Sequence, residues 1–247
     1  MSHMIEKLWP SRLATTLRER VMRYELTVLL AIVVIAGGAW LFVALAGEVI
    51  EGDTHTLDEQ LLLALRNNPN DLGDPIGPPW FEEMMRDFTA LGGFGVLTII
   101  TGSVLGYLLL QGKVRGALFI LVTIVGGMLL SLLLKEGFAR PRPDLVPHGS
   151  IVLTSSFPSG HSMLSAATYL TLGALLARLQ PNPRLKIYIL TLAIFLMVVV
   201  GISRVYLGVH WPTDVLAGWT AGAVWAALCW LVARRLQQEG AIEEETE

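Results

Sequence analysis

The chain has 247 residues, 53% of them hydrophobic and only 16% charged, with a net charge of −3. Soluble domains carry about 25% charged residues, so this composition excludes an ordinary soluble globule and points to a membrane protein. The slightly acidic balance gives no electrostatic footprint for nucleic acid, and the single cysteine, Cys229, excludes an internal disulfide.

A bilayer span takes about 20 mostly apolar residues. Six segments meet or approach that length: 26–46, 89–110, 116–134, 162–178, 187–203 and 213–233. The first begins too late and runs too long for a cleavable signal peptide, so it is expected to be a true span. The expectation is one all-α membrane domain over residues 1–247, with six transmembrane helices. Gly92–Gly95 and Gly126–Gly127 permit close helix packing in lipid. Cys229 lies in an apolar run and reads as an inert packed thiol, and the acidic end at residues 243–245 reads as solvated.

The connection 47–87 differs in kind. Its ten acidic residues face only Arg66 and Arg86, too much charge for the hydrocarbon. Thr56, Leu57, Asp58 and Glu59 have the spacing of a capping box, followed by the apolar run 61–65. This predicts a short amphipathic helix on the outer membrane surface, between the first and second spans. Residues 75–80 (PIGPPW) predict a turn that sets Trp80 at the lipid interface, and His55 is read as a solvated surface histidine.

Lysines and arginines set the orientation. Twelve of the eighteen fall on the side of the two termini, among them Arg12, Arg23, Lys113, Arg184 and Arg235. Both termini are therefore expected to be cytoplasmic. Parity then places the third span's exit, the fourth's entry, the fifth's exit and the sixth's entry on the outer face.

Three polar clusters sit at those four positions: residues 135–143 (KEGFARPRP), 158–161 (PSGH) and 203–214 (SRVYLGVHWPTD). Ionisable residues near lipid are costly and mark functional sites. Ser159 is a good N-cap and Gly160 allows close backbone approach, so the fourth span's start forms an anion site. Arg142 and Arg204 can grip phosphate oxygens with bidentate forks, and Lys135 adds a point charge. Pro141 and Pro143 restrict the backbone that carries Arg142. His210 and Asp214 stand at i and i+4, so the carboxylate can hold one imidazole nitrogen and leave the other as nucleophile.

The clusters resemble the signature of the type 2 phosphatidic acid phosphatase superfamily, lipid phosphatases related to vanadium haloperoxidases. The family pattern is K-x6-R-P, then P-S-G-H, then S-R-x5-H-x3-D. It is met without departure by Lys135, Arg142, Pro143, residues 158–161, Ser203, Arg204, His210 and Asp214. The resemblance implies that His210 attacks phosphorus, Asp214 orients it, and His161 protonates the leaving oxygen. It also implies that Lys135, Arg142, Ser159, Gly160 and Arg204 hold the phosphoryl group. It implies neither metal nor cofactor, and one carboxylate among three cations is the reverse of a magnesium site.

The expected substrate is a phospholipid or polyprenyl phosphate with its headgroup at the outer leaflet. Undecaprenyl diphosphate leads, with phosphatidylglycerol phosphate, phosphatidic acid and diacylglycerol diphosphate as further candidates. Residues 47–87 and 144–157 are expected to shape the headgroup pocket, Asp144 and His148 being read as solvated loop residues. A lipid phosphotransferase using the same histidine is one alternative. A non-enzymatic lipid-phosphate binder or transporter is another, and it gains nothing from the His210–Asp214 pair. A haloperoxidase sharing the cradle is disfavoured by the six spans. The sequence sets no oligomeric state.

Overall fold

The computed structural model describes residues 9–68, 71–143 and 154–238. In chain order they form α1 (Trp9–Glu51), α2 (His55–Leu63), β1 (Arg66–Asn68), β2 (Asp71–Pro75), α3 (Pro79–Leu91) and α4 (Phe94–Leu110). Then come α5 (Val114–Gly137), α6 (Gly160–Arg178), α7 (Pro183–Tyr206) and α8 (Pro212–Gln238). The all-α reading holds, apart from the antiparallel β1–β2 hairpin that the sequence reading missed.

Among the described residues, four helical segments are long and apolar enough to cross a membrane: Leu26–Glu51 of α1, then α5, α7, and Pro212–Leu236 of α8. The second expected span is broken. Its residues 89–91 belong to α3, which meets α4 at a 49° bend, and the pair can count together as a fifth span. Gly92 and Gly93 lie at that break, between two helices that each end on their own terms.

The fourth expected span is α6, and it falls outside the apolar set. The reason is its position: α6 packs against both α7 and α8, and Ser162, Ser165 and Thr168 along it are buried. Lipid demands an apolar exterior, while a helix wrapped by other helices can carry hydroxyls that bond its own backbone, as Ser165 Oγ does to Ser162 O at 3.1 Å. The apolar surface lies on the outer helices instead, where Val33, Val122 and Ile187 are exposed. Four of the six expected spans are single long apolar helices and the bent α3–α4 pair supplies up to a fifth, so length and composition alone do not reach the count of six among the described residues.

Close approach of α8 to α6 depends on two glycines one turn apart. A Cβ on Gly218 would stand 2.6 Å from Ser159 O, and one on Gly222 would stand 2.4 Å from Met163 O. Such small residues at i and i+4 let two backbones touch in lipid. Of the glycines singled out from sequence, a Cβ on Gly126 would stand 2.6 Å from the Trp225 ring, whereas one on Gly95 would meet nothing within 4 Å. Cys229 is buried, as expected.

The short helix α2 exists between the first and second expected spans, as predicted, but its cap differs. The N-cap position is Thr54, with no side-chain cap bond, rather than Thr56. The helix already begins at His55, so Thr56 lies inside it and cannot pair with Glu59 as a capping box, while Asp58 turns into the protein, where it is fully buried. His55 is solvated as expected, its side chain 67% exposed, and Trp80 is 66% exposed.

Candidate active site

Four helix ends meet at one end of the bundle. Lys135 lies in the last turn of α5, Arg204 in the last turn of α7, and Asp214 in the first turn of α8. Gly160 and His161 open α6, with Ser159 as its N-cap. The Ser159 side chain accepts from Ser162 N at 3.4 Å, and Met163 N bonds Ser159 O at 2.9 Å. The first amides of a helix lie outside its own ladder, which leaves those of Gly160 and His161 for an anion. Ser159 N donates to Asp214 O at 2.9 Å, so the α6 and α8 starts are joined by backbone as well as by packing.

His210 occupies the short connection before α8, and its ring is enclosed: the side chain is 2% exposed. Nδ1 lies 3.4 Å from Asp214 Oδ2. Nε2 lies 3.1 Å from Arg142 Nη1. A guanidinium can only donate, so Nε2 accepts and its lone pair faces Arg142. The single proton of the neutral ring then sits on Nδ1, directed at Asp214. Burial pulls the His210 imidazole down to about 3, against the hydrogen bond and charge of Asp214 and with help from Arg204 and Arg142. The ring is therefore neutral near pH 7.

Arg142 is positioned by backbone on both sides. Its Nη1 also donates to Val209 O at 2.9 Å, and its Nε donates to Thr154 O at 3.2 Å. Burial lowers the Arg142 pKa, opposed by the charge of Asp214. Lys135 Nζ donates to Ser155 O at 2.7 Å. Arg204 Nη1 donates to Thr89 Oγ1 of α3 at 2.8 Å, which ties the bent α3–α4 pair to the site. His161 shares the electrostatic neighbourhood of Arg204, His210, Arg142 and Lys135. A Cβ on Gly160 would lie 3.4 Å from Lys135 Cε, so the small residue stands beside the lysine. All eight residues singled out from sequence thus converge at one end of the bundle. Asp144 and His148 lie outside the described residues.

Asp214 has more partners than the sequence suggested. Its Oδ2 also accepts from Trp211 N at 2.9 Å and from the Ser156 hydroxyl. Its Oδ1 accepts from Arg140 Nη1 at 2.6 Å. The same guanidinium reaches Asp58 Oδ2 of α2 through Nη2, again at 2.6 Å.

The sequence profile of the PAP2 superfamily matches residues 116–238. Phosphatidylglycerophosphatase B of Bacillus subtilis is 38% identical over 152 residues, covering 60% of this chain and 72% of that one. The chain belongs to the PAP2 superfamily. A solved relative, a transmembrane PAP2-type phosphatidylglycerolphosphate phosphatase from Bacillus subtilis, superposes with a TM-score of 0.71 at 30% identity. That likeness covers 83% of this chain and 98% of the relative. Two more partial relatives are a lipid A 1-phosphatase of Rhizobium etli and an undecaprenyl-diphosphatase of Sulfolobus acidocaldarius. The first is 32% identical over 126 residues, 47% of this chain and 50% of that one. The second is 41% identical over 68 residues, 28% of this chain and 29% of that one. Like its PAP2 relatives, the chain is a membrane enzyme that hydrolyses lipid phosphates.

In this PAP2 enzyme the sequence reading passed over Asp58, Arg140, Ser156 and Thr213. Arg140 stood in view, two residues before Arg142, and its partner could not be seen from spacing. Asp58 drew no reading of its own inside the Thr56–Glu59 stretch, because a long-range ion pair leaves no mark in one dimension. Ser156 sits in a loop with no helical or strand period to interpret.

Proposed function

We propose that the chain removes a phosphate group from a lipid headgroup at the outer membrane face by way of a phosphohistidine, without a metal. The orientation of His210 carries this reading: its Nε2 lone pair faces the cationic mouth while Nδ1–H faces Asp214. In the first step Nε2 attacks phosphorus, the bond to the lipid oxygen breaks, and His161 gives that oxygen a proton. In the second, His161 takes a proton from water, the water oxygen attacks phosphorus, and the N–P bond breaks to release inorganic phosphate. Lys135, Arg142, Arg204 and the Gly160 amide stabilise the phosphoryl oxygens, and Ser159 shapes the turn that presents that amide.

Arg142 has two tasks in this scheme. In the free enzyme it covers Nε2, and with substrate it moves onto a phosphoryl oxygen and frees the lone pair. The cations supply the charge stabilisation that a divalent ion would otherwise provide.

Phosphatidylglycerol phosphate and undecaprenyl diphosphate are the two substrates to test first. A likeness over 60% of the chain is to a phosphatidylglycerophosphatase, and the expected outer-leaflet orientation suits undecaprenyl diphosphate. The test is phosphate release by purified protein in detergent with EDTA present, over a panel adding phosphatidic acid and diacylglycerol diphosphate. Release is expected without any added lipid acceptor, and His210→Ala is expected to abolish it. Full activity in that variant would end the phosphohistidine reading. Turnover that appears only with an acceptor lipid would favour the phosphotransferase.

A further inference from the structure

Asp58, Arg140 and Asp214 form a buried chain of charges that joins the outer helix α2 to the start of α8. Both carboxylate side chains are 0% exposed, and the guanidinium between them is 11% exposed. Arg140 divides its fork: Nη1 donates to Asp214 Oδ1 at 2.6 Å, and Nη2 donates to Asp58 Oδ2 at 2.6 Å. Thr213 closes the figure. Its hydroxyl donates to Asp58 Oδ2 at 2.6 Å, its amide donates to Asp58 Oδ1 at 2.9 Å, and Arg140 Nη1 reaches its hydroxyl oxygen at 2.8 Å.

Each bond has a distinct physical task. Pro212 opens α8 without an N–H, and Trp211 before it has no capping oxygen to offer. Asp58 supplies that oxygen from another helix, and its negative charge sits at the positive end of α8. A buried carboxylate is tolerable only when paired, and one arginine pairs two. The planar fork fixes where Asp214 Oδ1 lies, and a carboxylate held at one oxygen cannot rotate the other away. Oδ2 is the oxygen that faces His210 Nδ1. Trp211 braces the arrangement: its ring lies 5.7 Å from the Arg140 guanidinium carbon, and its Nε1 donates to Pro141 O at 3.1 Å.

We infer that Arg140 and Asp58 are positioning residues for the phosphatase reaction, holding Asp214 so that His210 keeps its proton on Nδ1 and its lone pair on Nε2. This rests on His210 being the nucleophile. A bridge needed only for packing would gain nothing by spending half its fork on the carboxylate behind the attacking ring. The arrangement makes α2, an element outside the superfamily signature, part of the reaction machinery. It also orders the dependence, since Asp58 acts on His210 only through Arg140 and Thr213.

The experiment compares wild type with Asp58→Asn, Arg140→Lys, Arg140→Gln and the Asp58→Asn/Arg140→Gln double variant. Each is the full chain in detergent, assayed by phosphate release from phosphatidylglycerol phosphate, or from the best substrate of the panel. Arg140→Gln is expected to lower kcat about 100-fold and Asp58→Asn about 10-fold, the scale on which outer partners of an oriented imidazole act. KM should stay within about twofold, because neither residue touches the phosphate. Arg140→Lys should recover part of the loss, and adding Asp58→Asn to Arg140→Gln should cost less than Asp58→Asn costs the wild type, since only the Thr213 route is then left to lose.

A melting temperature measured beside each assay separates folding from positioning. Variants that melt earlier yet keep wild-type kcat per folded molecule would overturn the inference, as would a loss confined to KM. If Arg140→Gln fails to fold, Asp58→Asn and Arg140→Lys carry the decision by the same kcat criterion. His210→Ala is run in parallel: activity surviving there removes the phosphohistidine reading itself, an outcome distinct from wild-type rates in the Arg140 and Asp58 series.

Discussion

His210 is the residue at which burial, tautomer and charge all bear on chemistry. Its pKa of about 3 in the folded chain, against 6.5 without the protein around it, leaves the ring neutral through mild acid. The acid limb of kcat/KM should therefore lie well below pH 6.5, and a pH–rate profile of the free enzyme checks this. Stability responds in the corresponding sense. Between pH 6.5 and about 3 the unfolded chain carries a proton on this imidazole that the folded chain lacks. Falling pH through that window therefore costs stability, and above it this group costs none. Thermal melts in detergent should show a steeper acid loss for wild type than for His210→Gln. An equal slope in the two would assign the acid sensitivity to other groups.

Residue-level chemistry was the most legible part of this sequence. Lys135, Arg142, His161, Arg204 and His210 are costly in an apolar chain, and cost is visible in one dimension. The partners that hold them were less so. Arg140 and Asp58 stand 82 positions apart and meet only because α2 folds back over the end of the bundle. Nothing in the local pattern of either residue encodes that return.

At the scale of elements, the contact between α6 and α8 decides whether a site exists. Gly218 and Gly222 bring Asp214 under the start of α6, where even one added methyl would stand under 3 Å from backbone oxygens. Gly222→Val is expected to cost about 1–3 kcal/mol by overpacking, with phosphate release falling as the two helix starts part. Gly102→Ala is the matched control, because a Cβ there meets nothing within 4 Å. Melting temperature and activity measured together should move for the first and stay for the second. The pattern that predicts a span could not predict this contact: hydropathy counts apolar residues and does not say which helix they face. The broken α3–α4 pair escaped for a related reason. Its residues are apolar enough to read through the Gly92–Gly93 joint as one segment.

For the whole molecule, the excess of lysine and arginine on the side of the termini predicts a site on the outer face. The lone cysteine makes this testable. Cys229 is buried, so a cysteine introduced elsewhere is the one open to a membrane-impermeant maleimide. Asn67→Cys, in the β1–β2 hairpin, should label in intact cells, and Arg235→Cys, in the last turn of α8, only after permeabilisation. The reverse pattern would turn the protein over and move the substrate pool to the inner leaflet.

The polarity of α6 bears on how the protein enters the membrane at all. A helix with Ser162, Ser165 and Thr168 along its buried side has little reason to leave water for hydrocarbon by itself. Its neighbours α5 and α7 have ample reason, with mean hydropathies of 2.7 and 2.6 over their most apolar windows. Only residues 179–182 separate α6 from α7, short enough for the two to partition as a hairpin. The helix that opens the phosphate cradle is thus expected to enter the bilayer as a passenger. Substitutions that make α7 more polar should lower the yield of inserted protein before they touch any rate of phosphate release.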